Sequence, residues 1–171
     1  MAICGSLRAA SSNLALLHAM SILAPQGVEI AVYDGLASIP PFNPDLDIEP
    51  ATPAVSSFRS ELQQSSALVI SSPEYAHGVP GALKNALDWV VASNEFSRKP
   101  VAIINTSPIS MHAHGSLVEI VSTMDARVIL EASITLPLRG RSLDASAIAS
   151  DPAFASPLRS AIQVLMESIA V

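Results

Sequence analysis

The chain has 171 residues, of which half are apolar, 14% charged and 4% aromatic, with a net charge of −6. That length suits one domain over residues 1–171, burying roughly 70% of its unfolded surface, with Ala, Val, Ile and Leu filling a core that aromatics do not. The acidic balance argues against nucleic acid, which needs a basic face. No apolar run of about 18 residues marks a membrane span, and the first residues do not read as a secretion signal. One cysteine allows no internal disulfide, so a cytoplasmic address is expected.

Strand and helix signals alternate along the chain. The first strand runs only from Met1 to Cys4, below the usual 5–6 residues, so it either begins upstream or is short. A helix follows over about Asn13–Leu23, and Gly27 marks its end. Val28–Tyr33 is the second strand. The stretch Asp34–Pro53 is rich in proline; it is too short and too apolar for an interdomain linker and reads as an ordered loop packed over the sheet edge or a site mouth. A second helix covers about Ala54–Gln64, a third strand Ala67–Ser71 and a third helix Gly81–Ala92. The fourth strand is Val101–Asn105. The fourth helix, about Gly115–Asp125, aligns Leu117, Ile120, Val121 and Met124 at helical spacing. Arg127–Leu130 is the fifth strand, and the last helix spans about Ala153–Ile169. Five strands with intervening helices predict an α/β doubly wound parallel sheet with helices on both faces. In such sheets ligands bind beyond the carboxyl ends of the strands.

Two loops carry the chemistry. After the first strand comes Gly5-Ser6-Leu7-Arg8-Ala9-Ala10-Ser11-Ser12-Asn13. Gly5 permits a sharp turn, the serines and Asn13 supply neutral hydrogen bonds, and Arg8 supplies a charged fork. The helix behind them points free N–H groups at the loop, which favours an anion. The plainer reading of the same residues is an ordinary strand–helix turn with Ser and Asn capping. Neither the Walker A pattern nor G-x-G-x-x-G occurs. After the third strand comes Pro73-Glu74-Tyr75-Ala76-His77-Gly78-Val79-Pro80-Gly81. Its glycines suit close approach of a flat ligand, and Pro80 suits the start of a helix.

Together these loops resemble the NADPH-dependent FMN reductase family, of flavodoxin-like fold. The family's GSLR-x-x-S-x-N is matched by Gly5, Ser6, Leu7, Arg8, Ser11 and Asn13. Its PEYN-x-x-x-PG-x-LKNA-x-DW is matched by Pro73, Glu74, Tyr75, Pro80, Gly81, Leu83, Lys84, Asn85, Ala86, Asp88 and Trp89. The resemblance covers roughly residues 1–130. It implies a five-stranded sheet in the order 2-1-3-4-5, with both loops at the switch point between strands 1 and 3. It implies that Ser6, Arg8, Ser11 and Asn13 hold the FMN phosphate. Pro73, Glu74, Tyr75, Ala76, His77 and Gly78 would wrap the flavin ring, largely through backbone groups, and Ser107 would join from a third loop. The implied activity is hydride transfer from NADPH or NADH to FMN, and then to a small-molecule acceptor such as free flavin, a quinone or an azo compound. A homodimer or homotetramer is implied as well. Ala76 stands where the family usually has Asn, which removes one side-chain amide near the flavin. The loop Asn105–Gly115 keeps Ser107-Pro108 and loses most of the family's glycines.

The remaining chemistry-bearing residues have plainer readings. Glu74 reads as an anchor for its loop or a subunit contact more than as a catalytic carboxylate, because the cofactor does the hard step. His77 faces either the flavin or solvent. His112 and His114 resemble half of a metal site without partners nearby in sequence. Cys4 reads as a buried, inert thiol, and Lys84 with Asp88 as an i,i+4 pair. Leu87 and Trp89 read as helix packing or interface. Arg139 and Arg141 read as loop charges or subunit contacts, with a cofactor phosphate as the alternative. Two other functions remain open: a flavodoxin-type carrier that needs FMN but no nicotinamide access, and an interaction protein that no longer binds flavin. The G-x-S-x-G elbow of an α/β serine hydrolase is absent.

Overall fold

A computed structural model describes residues 1–48, 50–138 and 140–169. Five parallel strands form one sheet in the order β2-β1-β3-β4-β5. They are β1 (Ala2–Cys4), β2 (Val32–Tyr33), β3 (Leu68–Ser71), β4 (Pro100–Ile103) and β5 (Arg127–Val128). The helices are α1 (Ser12–Leu23), α2 (Pro53–Gln64), α3 (Gly81–Asp88), α4 (Met111–Thr123), α5 (Ala145–Ser150) and α6 (Pro152–Ile169).

Strand alternation sorts the core into two layers. Ile3, Leu68, Ile70, Val101 and Ile103 face α2, α3 and α4, whose Phe58, Leu62, Leu83 and Leu117 complete that cluster. Ala2, Cys4, Val69, Ala102 and Ile104 face α1, α5 and α6, against Leu16, Met20, Ile148 and Leu158. Continuous apolar runs such as Leu68-Val69-Ile70 are what a strand covered on both faces needs. Each fully buried large side chain, Ile3, Phe58 and Leu62 among them, contributes about 1.5–3 kcal/mol of transfer free energy.

Several boundaries move for identifiable reasons. The second strand was expected over Val28–Tyr33, yet only Val32–Tyr33 pairs with β1. The last ladder bond on that side runs from the Ala2 N–H to the Ala31 carbonyl at 2.7 Å, and β1 supplies no partner for residues 28–30. Helix α3 stops at Asp88 instead of Ala92, because the Val90 and Val91 amides reach the carbonyls of Leu87 and Asp88, three residues back. The fourth helix begins at Met111 instead of Gly115, for a reason given below. The sequence reading missed α5, whose start is capped by Asp144 accepting from the Ala147 N–H at 2.7 Å.

The proline-rich stretch is ordered, with single 3-10 turns at Gly35–Ser38 and Pro44–Leu46. Helix α3 clamps it. Asn85 donates to the Pro40 carbonyl at 2.9 Å and accepts from the Phe42 N–H at 2.7 Å. The Trp89 indole N–H reaches the same Pro40 carbonyl at 2.8 Å, and the Trp89 ring meets Phe42 edge-on at 5.2 Å. Arg59 adds an ion pair to Asp47 at 2.7 Å. The L-K-N-A-x-D-W segment is therefore a packing device beneath the site, and Trp89 is core as expected.

Candidate functional site

The buried polar side chains gather at one end of the sheet. Ser6, Ser11, Asn13, Ser71, Asn105, Thr106 and Ser107 are all buried, and all lie at or just beyond the carboxyl ends of β1, β3 and β4. Among the described residues the remaining buried polar group is Glu95. Burying a hydroxyl or amide without a partner is costly, so seven such groups in one place need each other or a ligand.

The first loop begins with a close approach. A Cβ on Gly5 would sit 2.2 Å from Ser72 Oγ and 3.0 Å from Leu83 Cδ2, so glycine here serves packing against the β3 loop as well as the turn. Ser6 Oγ accepts from the Arg8 N–H at 3.3 Å, and Ser11 caps α1 by accepting from the Leu14 N–H at 3.4 Å. The amides of Ser12 and Asn13, in the first turn of α1, have no carbonyl four residues back within the helix and stay available to an anion. Arg8 is exposed at the surface of this loop.

Asn13 does something the sequence reading did not foresee. Its Oδ1 accepts from the Ser71 hydroxyl at 2.9 Å and from the Thr106 hydroxyl at 3.1 Å. One side chain thus ties the ends of β3 and β4 to the start of α1. Asn13 therefore positions the cradle through its acceptor oxygen, while a phosphate, itself an acceptor, would take its N–H donors. Ser71 and Thr106 were missed. The available signal was a small polar residue ending an apolar strand, which is weak because such residues also end strands for turn reasons.

The second loop is a tight turn. Tyr75 and Gly78 exchange both backbone hydrogen bonds, at 3.1 and 2.9 Å, and the two residues between them, Ala76 and His77, have φ of 48° and 59°. That is the conformation of a two-residue turn with both central residues left-handed, where Asn-Gly is preferred. Two expectations change. The permissive backbone lies at Ala76 and His77 instead of Gly78, whose added Cβ would meet only the Tyr75 carbonyl at 3.6 Å. The Tyr75 and Gly78 N–H groups are spent within the turn, whereas those of Glu74, Ala76 and His77 make no hydrogen bond among the described residues. Alanine in the left-handed region carries strain that Asn tolerates far better. Ala76→Asn is expected to raise stability by up to about 1 kcal/mol, read as a higher thermal midpoint.

Glu74 explains the early start of α4. Its Oε2 accepts from the Ala113 N–H at 2.9 Å, and Ser110, at the cap position, makes no side-chain cap bond. A carboxylate from another loop therefore caps this helix and sits favourably at its positive end. Glu74 is the loop anchor expected of it, and the contact locks the second loop to the third. In the third loop, Asn105 Oδ1 accepts from the Ser107 N–H at 3.0 Å and its Nδ2 donates to the Ser110 carbonyl at 3.2 Å. Ser107 Oγ is buried with no hydrogen-bond partner among the described residues. The rings of His77 and His112 stack at 4.5 Å with an 18° interplanar angle, closing the loops over one another.

Each of the three loops also exposes an apolar side chain, Leu7, Tyr75 and Ile109. Exposed apolar surface rimming a buried polar set suits a flat ligand with a polar tail. Pro73 is half-buried at the base of the second loop. Burial pushes the Cys4 thiol up, consistent with the inert role expected of it. Lys84 and Asp88 form the expected i,i+4 pair. Arg141 lies over the Phe154 ring at 5.5 Å, and Arg139 lies outside the described residues.

His114, on α4, is half-buried, its Nδ1 has no partner among the described residues, and burial lowers its pKa from the usual 6.5. The folded chain thus binds this proton less readily than the unfolded chain, so the unfolded state gains protons first as pH falls. Stability is then expected to decline on acidification below about pH 6.5 and to level off above it. Urea midpoints at several pH values check this: replacing His114 with Gln should flatten that limb.

Comparison with known proteins agrees with this arrangement. Residues 1–138 match the family described as NADPH-dependent FMN reductase. An NAD(P)H-dependent FMN reductase of Pseudomonas aeruginosa is 39% identical over 109 residues, covering 63% of this chain and 58% of that protein. A quinone reductase of Escherichia coli (strain K12) is 35% identical over 106 residues, covering 60% of this chain and 56% of that protein. The chain thus matches less than two thirds of the length of these relatives. The solved structure of a flavoenzyme NAD(P)H:(acceptor) oxidoreductase from Paracoccus denitrificans superposes with a TM-score of 0.79 at 25% identity, covering 99% of this chain and 95% of that one. An azoreductase from Bacillus anthracis shares the fold, with a TM-score of 0.62 at 13% identity. With the sheet order, the loop at the end of each inner strand and a family match over residues 1–138, the chain belongs to the NADPH-dependent FMN reductase family.

Proposed function

We propose that the protein is an FMN-dependent NAD(P)H oxidoreductase that reduces a small, flat acceptor such as free flavin, a quinone or an azo compound. The observation that carries this reading is the buried polar set at the carboxyl end of the sheet, with Ser107 Oγ unpaired inside it. That set fits FMN: neutral donors and a helix start suit the phosphate, and the apolar rim suits the ring. Ser6, Ser11 and the amides opening α1 would hold the phosphate, with Arg8 closing over it and Asn13 fixing the loops beneath. Pro73, Glu74, Tyr75, Ala76, His77 and Gly78 would form the ring wall, and Ser107 Oγ would gain its partner from the flavin. Bound FMN supplies hydride acceptance and electron release, so the protein needs no acid or base of its own. Its part would be to hold the ring rigidly, with the Glu74–Ala113 and Tyr75–Gly78 bonds fixing the loops, and to leave one face open beside Gly78, which has no side chain.

The relatives named as FMN, quinone and acceptor oxidoreductases support this reading. A homodimer or homotetramer in the cytoplasm belongs to the same proposal; exposed Leu46, Ile48 and Leu130 supply apolar surface for association. Among the described residues no helix is long and apolar enough to cross a membrane. Equilibrium titration with FMN, followed by quenching of flavin fluorescence, tests the cofactor assignment. Saturable one-to-one binding is expected. A linear, unsaturated response would favour the interaction protein.

A further inference from the structure

A small space of about 10 Å³ lies behind the second and third loops, room for about one water molecule. Ser72, the residue after β3, forms one wall, and Asn105 and Ser110, at the two ends of the third loop, form another. His114 completes the polar lining from the first turn of α4. Apolar residues of β4 and α4 supply the remainder.

His114 Nδ1 is buried and has no hydrogen-bond partner among the described residues. Leaving such an atom dry is costly. A buried water needs about two to four polar neighbours, and here the ring nitrogen stands with three polar residues around a space of the right size. Purely apolar gaps stay empty; this one has the lining of a hydrated site.

No charged side chain lines the space. Glu74, on the second loop, accepts from the Ala113 N–H at 2.9 Å, and His77 stacks on His112. Tyr75 on the same loop and Glu119 further along α4 complete the titratable groups of these elements. Burial is what lowers the His114 pKa from 6.5. The ring is therefore neutral at pH 7 and responds to negative charge that appears near it.

We propose that His114 and one water in this space form a proton-uptake site coupled to reduction of the flavin. The site depends on FMN binding at the loops in front of it, and not on which donor or acceptor is used. Hydride carries two electrons and one proton, so its arrival leaves one added negative charge at the carboxyl end of the sheet. The half-buried imidazole then takes one proton from solvent at Nδ1. It turns from accepting a hydrogen bond from the water to donating one to it. Charge is balanced, with no bond to carbon made or broken at the histidine. A unit charge close to a partly desolvated ring is expected to raise its proton affinity about tenfold, which is about one pH unit.

Ring C–H signals of the four histidines, assigned through the wild-type backbone, are followed by NMR between about pH 5 and 8. Three samples are compared: without FMN, saturated with FMN, and saturated with FMN that dithionite has reduced anaerobically. Chemical reduction removes any need for a nicotinamide. The His114 midpoint is expected below 6.5 without FMN and is expected to rise by about one unit between the oxidised and reduced samples. His18, exposed on α1, should stay where it is. Cross-relaxation between the His114 ring and a long-lived water is expected in the oxidised protein. FMN that binds and is bleached by dithionite while the His114 midpoint holds still would overturn the proposal alone. An equal shift of all four histidines, or no water signal at His114, would overturn it too. FMN that does not bind at all would overturn the flavin assignment with it.

Discussion

Replacing Arg8 with Ala is expected to weaken FMN binding by about 10- to 150-fold while leaving the thermal midpoint unchanged. The estimate is the loss of a charge-assisted hydrogen bond, about 1.5–3 kcal/mol. The two effects separate because Arg8 is exposed, and its side chain takes part in none of the contacts that hold the loops together. Arg8→Lys should recover part of the affinity, since the charge returns without the fork that grips a phosphate through two bonds. Isothermal titration with FMN, repeated with riboflavin, decides the matter. Riboflavin lacks the phosphate, so its weaker binding should be the same in the wild type and in both variants. An equal loss for riboflavin would mean that Arg8 acts on the ring or on the fold.

Asn13→Ala is expected to cost about 1–3 kcal/mol of stability, a fall in thermal midpoint of roughly 2–12 °C for a chain of this size. Its Oδ1 receives two hydroxyls from strands far away in sequence. Ser71 has a second acceptor in the Ile104 carbonyl at 2.9 Å, so its proton finds a home when Asn13 is lost. Thr106 is left buried without its acceptor, and that orphan carries most of the expected loss. The double variant Asn13→Ala with Thr106→Val removes the orphan and should recover part of the stability, as a coupled pair does. The FMN affinity should not recover with it, because the start of α1 would still be untied from β3 and β4. Full additivity of the two changes would show that the Asn13–Thr106 bond contributes nothing.

The sheet was legible because strands covered on both faces must be apolar throughout, and Leu68-Val69-Ile70 and Val101-Ala102-Ile103-Ile104 satisfy that with little ambiguity. The two functional loops were legible because their Gly, Ser, Arg and Pro residues follow those strands at the end where ligands bind. What was not legible depends on partners distant in the chain. Nothing near Met111 announces a helix start, because the cap is Glu74, 39 residues from the Ala113 amide that it accepts from. Asn13 reads as a phosphate ligand from its own loop, and nothing in that loop announces its second task, accepting from Thr106, 93 residues away. The second strand read as six residues because Val28–Tyr33 has strand composition; its ladder to β1 begins only at the Ala31 carbonyl, which accepts from the Ala2 N–H. At Ala76 the sequence comparison registered a missing amide, and the structure adds a backbone meaning: the position is left-handed, which Asn accommodates and Ala resists.

Hydride transfer at the carboxyl end of the sheet is tested most directly by anaerobic mixing of NADPH with the FMN-saturated protein. The oxidised-flavin absorbance band is followed in time. Rapid bleaching in the wild type, scaling with the fraction of protein that holds FMN, is the predicted result. FMN that binds saturably and keeps its colour in NADPH and in NADH would contradict the oxidoreductase reading and make the protein a flavin carrier.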